Sequence, residues 1–170
     1  NLMNTDIELS KAERENFTEL INTNSDLLLN LINDILDLSR IESGRMSFSF
    51  QQYSLNELIS TIYQTFQVLM PENVELRMQI PEKSISIPTD KLRLTQVITN
   101  FLSNAIKFTQ KGYILIGYEY REEGRHVHIF VEDTGIGIPK EKQDAVFNRF
   151  TKLDEFAKGT GLGLSICKGI

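Results

Sequence analysis

Three polar side chains on one predicted helix could bind a phosphorylated ligand. Asn100, Asn104 and Lys107 follow one another at spacings of four and three positions, which bring side chains to the same face of a helix. The two amides offer neutral oxygen ligands and N–H donors, and the lysine adds a positive charge, which together suit a magnesium-bound polyphosphate. Alone, such a pattern more often marks a solvated polar face, so the residues leave that alternative open.

A second candidate site follows a predicted strand, where Asp133 precedes Gly135, Gly137, Ile138 and Pro139. Two glycines at a spacing of two let a backbone approach a flat ligand closely. A carboxylate at the end of a strand can accept a hydrogen bond from the amine of an adenine, a contact worth about 1.5–3 kcal/mol. The same residues also suit a strand-to-helix turn capped by Asp133 with Pro139 at the helix start.

Two further clusters lie near the end of the sequence. Phe147 and Phe150 are three residues apart and are followed by Lys152; in a helix, such aromatics more often pack in a core than contact a ligand. The other cluster is a glycine-rich run that leads into an apolar helical pattern: Gly159, Thr160, Gly161, Leu162 and Gly163. The N–H groups of such a loop can hold an anion. Because the run does not follow a strand, a Rossmann dinucleotide site is disfavoured.

The elements that position these clusters follow from hydrophobic periodicity. Residues 10–43 predict one long amphipathic helix that opens with a Ser10/Glu13 capping box and ends at Gly44. Its apolar stripe is too wide for a two-stranded zipper and suits a helical bundle. Two more helices are predicted from Ser54 to about residue 69 and from residue 90 or 91 to 108.

Alternation of apolar and polar residues predicts the strands, which are expected at about 46–51, 73–80, 113–120 and 125–132. A turn is expected at 122–124 between the last two, and a Pro/Ser-containing connection at 81–89. This order of elements favours the α+β class, in which helices layer on one face of a mostly antiparallel sheet.

Composition excludes several classes of function. The 170-residue chain has 18 basic and 23 acidic residues, a formal charge of −5, which argues against binding nucleic acid or an anionic membrane through bulk charge. A single cysteine, Cys167, permits no internal disulfide, and two histidines are too few for a Cys/His zinc site. No apolar run approaches the roughly 20 residues that span a bilayer.

The four clusters, taken in order, resemble the catalytic region of a sensor histidine kinase of two-component systems. The matching motifs are N-x-x-x-N-A-x-K-F-T, D-T-G-I-G-I-P, F-x-x-F and G-T-G-L-G-L-S. Residues 1–44 resemble part of the dimerisation and phosphotransfer hairpin, without the helix that carries the acceptor histidine. Residues 45–170 resemble the ATP-binding domain, a two-layer α/β sandwich of the Bergerat (GHKL) type shared with gyrase, Hsp-type chaperones and MutL. The resemblance implies that the C-terminal part of this domain is truncated.

The resemblance also implies a role for each matched position. Asn104 would coordinate Mg²⁺, Asn100 and Lys107 would approach the phosphates of ATP, and Asp133 would select adenine. Asn100, Lys107 and Lys152 would be catalytic, the last reaching the terminal phosphate. The other residues expected to line the nucleotide site are Phe108, Gly135, Gly137, Ile138, Phe150, Gly159, Thr160, Gly161, Leu162 and Gly163.

The implied reaction moves the γ-phosphoryl group of Mg-ATP to a histidine and then to an aspartate of a response regulator. His126 and His128 lie two apart in a predicted strand and are expected at the sheet surface, so this chain should bind ATP without autophosphorylating. ATPases of the superfamily carry a glutamate at the position of Asn100. An amide cannot take a proton from water at neutral pH, so hydrolysis should be poor.

The implied partners are a second copy, bound through the helix at 10–43, and a receiver domain, with no nucleic acid and no direct membrane contact. The implied location is the cytoplasm, either alone or as the cytosolic part of a membrane-anchored sensor. Two alternatives remain open. One is a non-catalytic dimerisation and regulator-binding module with a degenerate pocket, and the other is a gyrase- or MutL-like ATPase, which Asn100 disfavours.

Overall fold

A computed structural model describes residues 10–121, 126–151 and 160–170. The helices are α1 (Lys11–Glu42), α2 (Leu55–Gln67), α3 (Lys91–Phe108) and α4 (Gly163–Gly169). The strands are β1 (Gln51–Ser54), β2 (Val74–Gln79), β3 (Ser86–Thr89), β4 (Gly112–Arg121) and β5 (His126–Asp133). Two short 3-10 turns, Lys140–Lys142 and Ala145–Phe147, lie between β5 and α4. No helix within these ranges has both the length and the apolarity to cross a membrane.

The strands form two separate sheets. One is a three-stranded sheet in the order β2-β4-β5, and β1 and β3 form an antiparallel pair of their own. β4 and β5 are antiparallel, as predicted, but β2 and β4 are parallel. The prediction of a mostly antiparallel sheet was therefore only partly right. The parallel pair arises because α3 lies in the connection between β2 and β4, and parallel strands require such a crossover.

The core lies between the three-stranded sheet and the helices α2 and α3, which confirms the predicted two-layer α/β arrangement. The buried side chains come from both layers: Leu55, Leu58, Ile59, Ile62 and Phe66 of α2; Ile98, Leu102 and Ala105 of α3; and Val74, Leu76, Ile114, Ile116 and Tyr118 of the sheet. Burying each large aliphatic side chain is worth about 1.5–3 kcal/mol. Tyr118 keeps its hydroxyl satisfied by donating to Asn56 Oδ1 at 2.5 Å.

The long helix α1 begins and ends as predicted. Ser10 and Glu13 form the reciprocal capping box, and Gly44 follows the helix with a left-handed φ of +63°. Among the described residues, only the C-terminal third of α1 packs against other elements, through the partly or fully buried residues Leu31, Asp34, Asp37, Leu38 and Ile41. Its other apolar side chains are exposed: Phe17, Leu20, Ile21, Leu27, Leu28, Leu29, Ile32, Ile35 and Leu36.

Three local predictions differ from the structure. The strand predicted at 46–51 is absent, and β1 starts at Gln51, where pairing with Thr89 of β3 becomes available. The strand β3 was missed because it contains Pro88, a residue that argues against a central strand and is tolerated at an edge. Phe147 and Phe150 do not share a helix, since Phe147 ends a 3-10 turn and Phe150 has a φ of +56°. The turn at 122–124 lies outside the described residues.

Candidate nucleotide site

The turn after β5 is held against the C-terminal end of α3. Asp133 Oδ1 accepts a hydrogen bond from Gly135 N at 2.9 Å and lies 3.5 Å from the Thr109 hydroxyl, which donates to it. Ile136 N donates to the carbonyl of Phe108 at 3.3 Å. Asp133 is exposed, and within the described ranges its hydrogen bonds involve Oδ1 alone. Its second carboxylate oxygen, Oδ2, is therefore available to a ligand.

Glycine is required in this turn for two different reasons. A Cβ on Gly135 would lie 2.5 Å from the Phe108 carbonyl oxygen and 2.8 Å from Asp133 Oδ1, so no side chain fits. Gly137 has open space around it but adopts a φ of +67°, a left-handed conformation that costs other residues about 1–2 kcal/mol. The close approach of backbones at Gly135 is what joins the turn to α3.

The alternative interpretation of this motif, a turn capped by Asp133, describes part of its geometry. Asp133 does cap the turn through Gly135 N, and Pro139 does precede a helical element. That element is the single 3-10 turn Lys140–Lys142 rather than an α-helix. Ile138 is exposed beside it. Capping uses one carboxylate oxygen only, so it does not compete with ligand binding at the other.

Asn100, two helical turns before Phe108, joins α3 to the start of α4. Its amide nitrogen donates to the Gly163 carbonyl at 3.4 Å and lies 3.5 Å from Cys167 Sγ. Cys167 Sγ in turn lies 3.9 Å from the Val97 carbonyl, to which it donates. A Cβ on Gly163 would lie 3.2 Å from Asn100 Oδ1, so the loop passes directly over this amide. Asn100 therefore anchors the glycine loop to α3.

Asn104 lies on α3 between these two connections, one helical turn from Asn100 and one from Phe108. Its side chain is half-buried, and it makes no hydrogen bond to any described residue. Lys107 is exposed, with Nζ 4.9 Å from the centroid of the half-buried Phe108 ring. Of the three polar residues predicted on this face, Asn100 is thus engaged with α4, while Asn104 has its carboxamide available.

A backbone hydrogen bond joins two residues that flank the segment 152–159. Phe150 N donates to the Gly161 carbonyl at 3.0 Å, and both residues have positive φ values, +56° and +72°. The Phe150 ring is exposed, which suits a ligand contact better than the core packing that was its alternative. Lys152 and Gly159 lie outside the described residues.

Thr160 and Leu162 occupy different environments in the glycine loop. Thr160 Oγ1 accepts from Leu162 N at 3.2 Å and donates to Asp34 Oδ2 of α1 at 3.0 Å. The Leu162 side chain is fully buried at the start of α4. A contact between that side chain and a nucleotide would require the loop to shift, so the role of Leu162 in binding stays a prediction.

Sequence reasoning missed a polar network between α1 and α3. Asp37 Oδ2 accepts from Arg93 Nη1 and from Gln96 Nε2, both at 2.8 Å. Burial tends to raise the pKa of Asp37, but the hydrogen bonds from Gln96 and Arg93, with the charge of Arg93, outweigh it and hold this pKa below its ordinary value. The available signal was a pair of aspartates one turn apart, Asp34 and Asp37, inside the apolar stripe of the predicted helix.

The chemistry of these residues suits a Mg-nucleotide, and so does the distance along α3 over which they are spread. Asn100 and Phe108 are eight positions apart, about 12 Å of helix, so α3 spans the distance between the glycine loop and the Asp133 turn. No group of three or more His, Cys, Asp or Glu side chains in the described ranges could hold a metal by itself. This is compatible with Mg²⁺, which is usually held by one or two protein oxygens together with phosphates and waters. The Asn104 carboxamide can supply such an oxygen.

Substituting Asn100 by aspartate is expected to loosen α4. The new carboxylate would face the Gly163 carbonyl that now accepts a hydrogen bond, and an unsatisfied acceptor of this kind costs about 1–3 kcal/mol. Urea denaturation should report a loss of stability in this range for Asn100→Asp. Ser103→Asp adds the same charge at an exposed position of α3 and should change stability by less than about 0.5 kcal/mol. Equal losses in both variants would contradict the anchoring role.

The turn that carries Asp133 and the glycine loop are held at two points along α3, which packs on a mixed sheet. This arrangement is that of a nucleotide-binding domain of the GHKL type. Residues 89–170 match the family described as "Histidine kinase-, DNA gyrase B-, and HSP90-like ATPase". The catalytic domain of the histidine kinase ThkA is 31% identical, with a TM-score of 0.62 over 71% of this chain and 78% of that one. The chain belongs to the histidine kinase family.

Similarity extends over α1 as well. The structure of full-length ShkA in complex with AMPPNP is 28% identical, with a TM-score of 0.81 over 95% of this chain and 34% of that one. Hybrid signal transduction histidine kinase A of Dictyostelium discoideum is 36% identical over 94% of this chain. Two-component system protein A of Emericella nidulans is 35% identical over 99%. The chain spans 8% of the first relative and 26% of the second.

Proposed function

We propose that this chain binds Mg-ATP and presents its γ-phosphoryl group for transfer to a histidine of a two-component system. The observation that carries the proposal is the placement of Asn104. Its half-buried carboxamide has no hydrogen-bond partner among the described residues and lies midway between Phe108, tied to the Asp133 turn, and Asn100, tied to Gly163. A triphosphate running along α3 would bring adenine to Asp133 and its phosphates past Asn104.

Each group has a part in this proposal. Asp133 Oδ2 accepts the adenine amine, while the tight turn at Gly135 and the open turn at Gly137 and Ile138 shape the base pocket. The Asn104 carboxamide oxygen holds Mg²⁺, which neutralises phosphate charge. Lys107, Lys152 and the loop from Gly159 to Gly163 surround the phosphates. The ring of Phe108 lies beside the nucleotide, and the exposed ring of Phe150 covers it.

The chemistry of Asn100 favours transfer over hydrolysis. A carboxamide has no basic group to take a proton from water, and here it donates to the Gly163 carbonyl. Water is therefore not activated at this position, and the γ-phosphoryl group is kept for a protein nucleophile. Because His126 and His128 belong to β5, the acceptor is a histidine elsewhere, and this chain by itself binds nucleotide without autophosphorylating.

The partners follow from α1 and from a relative. The exposed apolar side chains of α1, among them Phe17, Ile21 and Leu28, are the kind of face that a helical bundle buries, which supports pairing with a second copy. ThkA has been solved in complex with the response regulator protein TrrA, and it is 26% identical with a TM-score of 0.65 over 89% of this chain and 42% of that one. This supports a receiver domain as the second partner. The proposal also takes an aspartate of that domain as the final acceptor and the cytoplasm as the place of reaction.

Calorimetric titration of ATP with Mg²⁺ tests the nucleotide site. We expect Asp133→Ala to weaken binding by about 10- to 100-fold, because a hydrogen bond to a charged group contributes about 1.5–3 kcal/mol. Glu132→Ala is the matched control, since Glu132 is the preceding exposed carboxylate and bonds the Tyr113 hydroxyl; it should bind as the unaltered chain does.

Three results would contradict the proposal. Equal affinity of the Asp133→Ala variant and the unaltered chain would remove the adenine contact. If neither the unaltered chain nor Asp133→Ala gave heat with ATP but a receiver domain still bound, a regulator-binding module with a degenerate pocket would be favoured. Rapid ATP turnover by the unaltered chain would instead favour a gyrase-like ATPase.

A further inference from the structure

The glycine loop is held from outside its own domain. Thr160 Oγ1 donates to Asp34 Oδ2 at 3.0 Å and accepts from Leu162 N at 3.2 Å. The hydroxyl therefore bridges a carboxylate of α1 and the backbone of the loop. The residues joined by the first bond are 126 positions apart in sequence, so this contact exists only when α1 is docked on the ATP-binding domain.

The position of α1 is set independently of this bond. Asp37, one turn beyond Asp34, is paired with Arg93 of α3 at 2.8 Å, and both side chains are largely buried. Near the end of α1, Glu42 forms an ion pair with Arg149, and Ile41 lies so close to Gly169 of α4 that a Cβ there would approach it to 2.7 Å. These contacts hold Asp34 against Thr160 without depending on either residue.

The Asp34 carboxyl is partly buried where it meets Thr160. Burial raises the pKa of the Asp34 carboxyl, the Thr160 hydrogen bond opposes this, and the charge of Asp37 adds to it. Burial also raises the pKa of the Cys167 thiol, and the charge of Asp34 contributes to that rise while the hydrogen bond from Asn100 lowers it. The charge of Asp34 is therefore close enough to affect the Cys167 thiol of α4.

We propose that Asp34 is a positioning residue for the nucleotide loop: through Thr160 it keeps the loop ordered while α1 is docked, and so raises nucleotide affinity. The inference rests on the proposed nucleotide site and adds a control point outside it. A loop ordered before binding does not pay its ordering cost when the ligand arrives. If α1 moved and separated Asp34 from Thr160, the loop would have to become ordered on binding, and nucleotide affinity would fall.

Titration of ATP with Mg²⁺ into three variants tests this role. Asp34→Ala should weaken binding by about tenfold, because the loop loses a hydrogen bond to a charged group. Asp34→Asn keeps an oxygen acceptor for the Thr160 hydroxyl and should restore affinity to within about twofold of the unaltered chain. Asp26→Ala removes an exposed carboxylate of α1 two turns earlier and should have no effect. Unchanged affinity in Asp34→Ala, or equal weakening in Asp34→Asn, would overturn the proposal.

Hydrogen exchange without nucleotide separates failure of this inference from failure of the nucleotide site. The Leu162 amide, which donates to Thr160 Oγ1, should exchange faster in Asp34→Ala and at the normal rate in Asp34→Asn. That pattern would support the positioning role even if no chain bound ATP, in which case the proposed nucleotide site alone would fail. Unchanged exchange at Leu162 in Asp34→Ala would contradict the positioning role, whatever the affinity for ATP.

Discussion

Replacing Gly135 by alanine is expected to cost the chain about 100-fold in ATP affinity. The new Cβ would lie 2.5 Å from the carbonyl oxygen and 2.9 Å from the carbonyl carbon of Phe108. These are backbone atoms at the end of α3 and cannot rotate away, so the turn that carries Asp133 must move by about 1 Å. A displacement of that size breaks the hydrogen bond that Asp133 is proposed to accept from adenine, which is worth up to about 3 kcal/mol, or about 100-fold in affinity. Calorimetry with ATP and Mg²⁺ measures the effect.

Gly137→Ala is the comparison for this substitution. Because Gly137 borders the proposed base pocket, some affinity should be lost, but less than in Gly135→Ala, where Asp133 itself is displaced. Gly137 lies in the same turn with nothing within 4 Å of an added Cβ, and its φ is +67°. Alanine there should reduce stability by about 1–2 kcal/mol through backbone strain while leaving the Asp133 carboxylate in place. If the two variants lost affinity equally, the contact between Gly135 and Phe108 would not be what positions Asp133.

The sequence predicted which residues of α3 could contact a ligand. It did not predict which of them would instead be bonded to the rest of the chain. Spacings of four and three put Asn100, Asn104 and Lys107 on one side of a helix whatever the rest of the fold does. That Asn100 is engaged with Gly163 depends on a contact between residues 63 positions apart, and the helical period carries no information about such a contact. The availability of Asn104 becomes visible only once the engagement of Asn100 is known.

The strands illustrate the same limit. Met46, Phe48 and Phe50 do alternate with polar residues, yet Phe48 and Phe50 are exposed and the nearby strand starts at Gln51. Alternation predicts a strand only where a neighbour supplies hydrogen bonds, and here that neighbour is β3 from Ser86 to Thr89. Because Pro88 argues against a strand, the sequence pattern did not predict β3. Without β3 as a known partner, the start of β1 could not be predicted either.

The attachment of α1 was beyond sequence reasoning for a different reason. The apolar stripe of α1 indicates that the helix is covered, but an apolar stripe does not specify what covers it. In the structure, Leu31, Leu38 and Ile41 pack toward the ATP-binding domain while Leu28 and Ile35 remain exposed. Two aspartates within the packed face carry the specificity, because each requires a polar partner of its own.

Removing the carboxylate of Asp37 is expected to be the most destabilising change at this contact. Asp37→Ala leaves the Arg93 guanidinium, with its side chain 14% exposed, without its charged partner, and breaking a buried pair in this way costs about 3 kcal/mol. Urea denaturation near neutral pH measures the loss. Arg40→Ala removes the weaker partner of the same aspartate, at 3.8 Å and 57% exposed, and should cost less than about 1 kcal/mol.

The pH dependence of this loss provides a second measurement. Because the pKa of Asp37 lies below its ordinary value of 3.8 in the folded chain, the stabilisation is fully present above that value and disappears as the pH falls through the lower folded pKa. The difference in unfolding free energy between the unaltered chain and Asp37→Ala should therefore shrink below about pH 4. The pKa of Asp34 is raised, but Asp34 is present in both proteins. Apart from its coupling to Asp37, its contribution to the unfolding free energy is therefore the same in both and cancels in the difference. A difference that stayed constant down to pH 2 would mean that the charge of Asp37 does not hold α1 against Arg93.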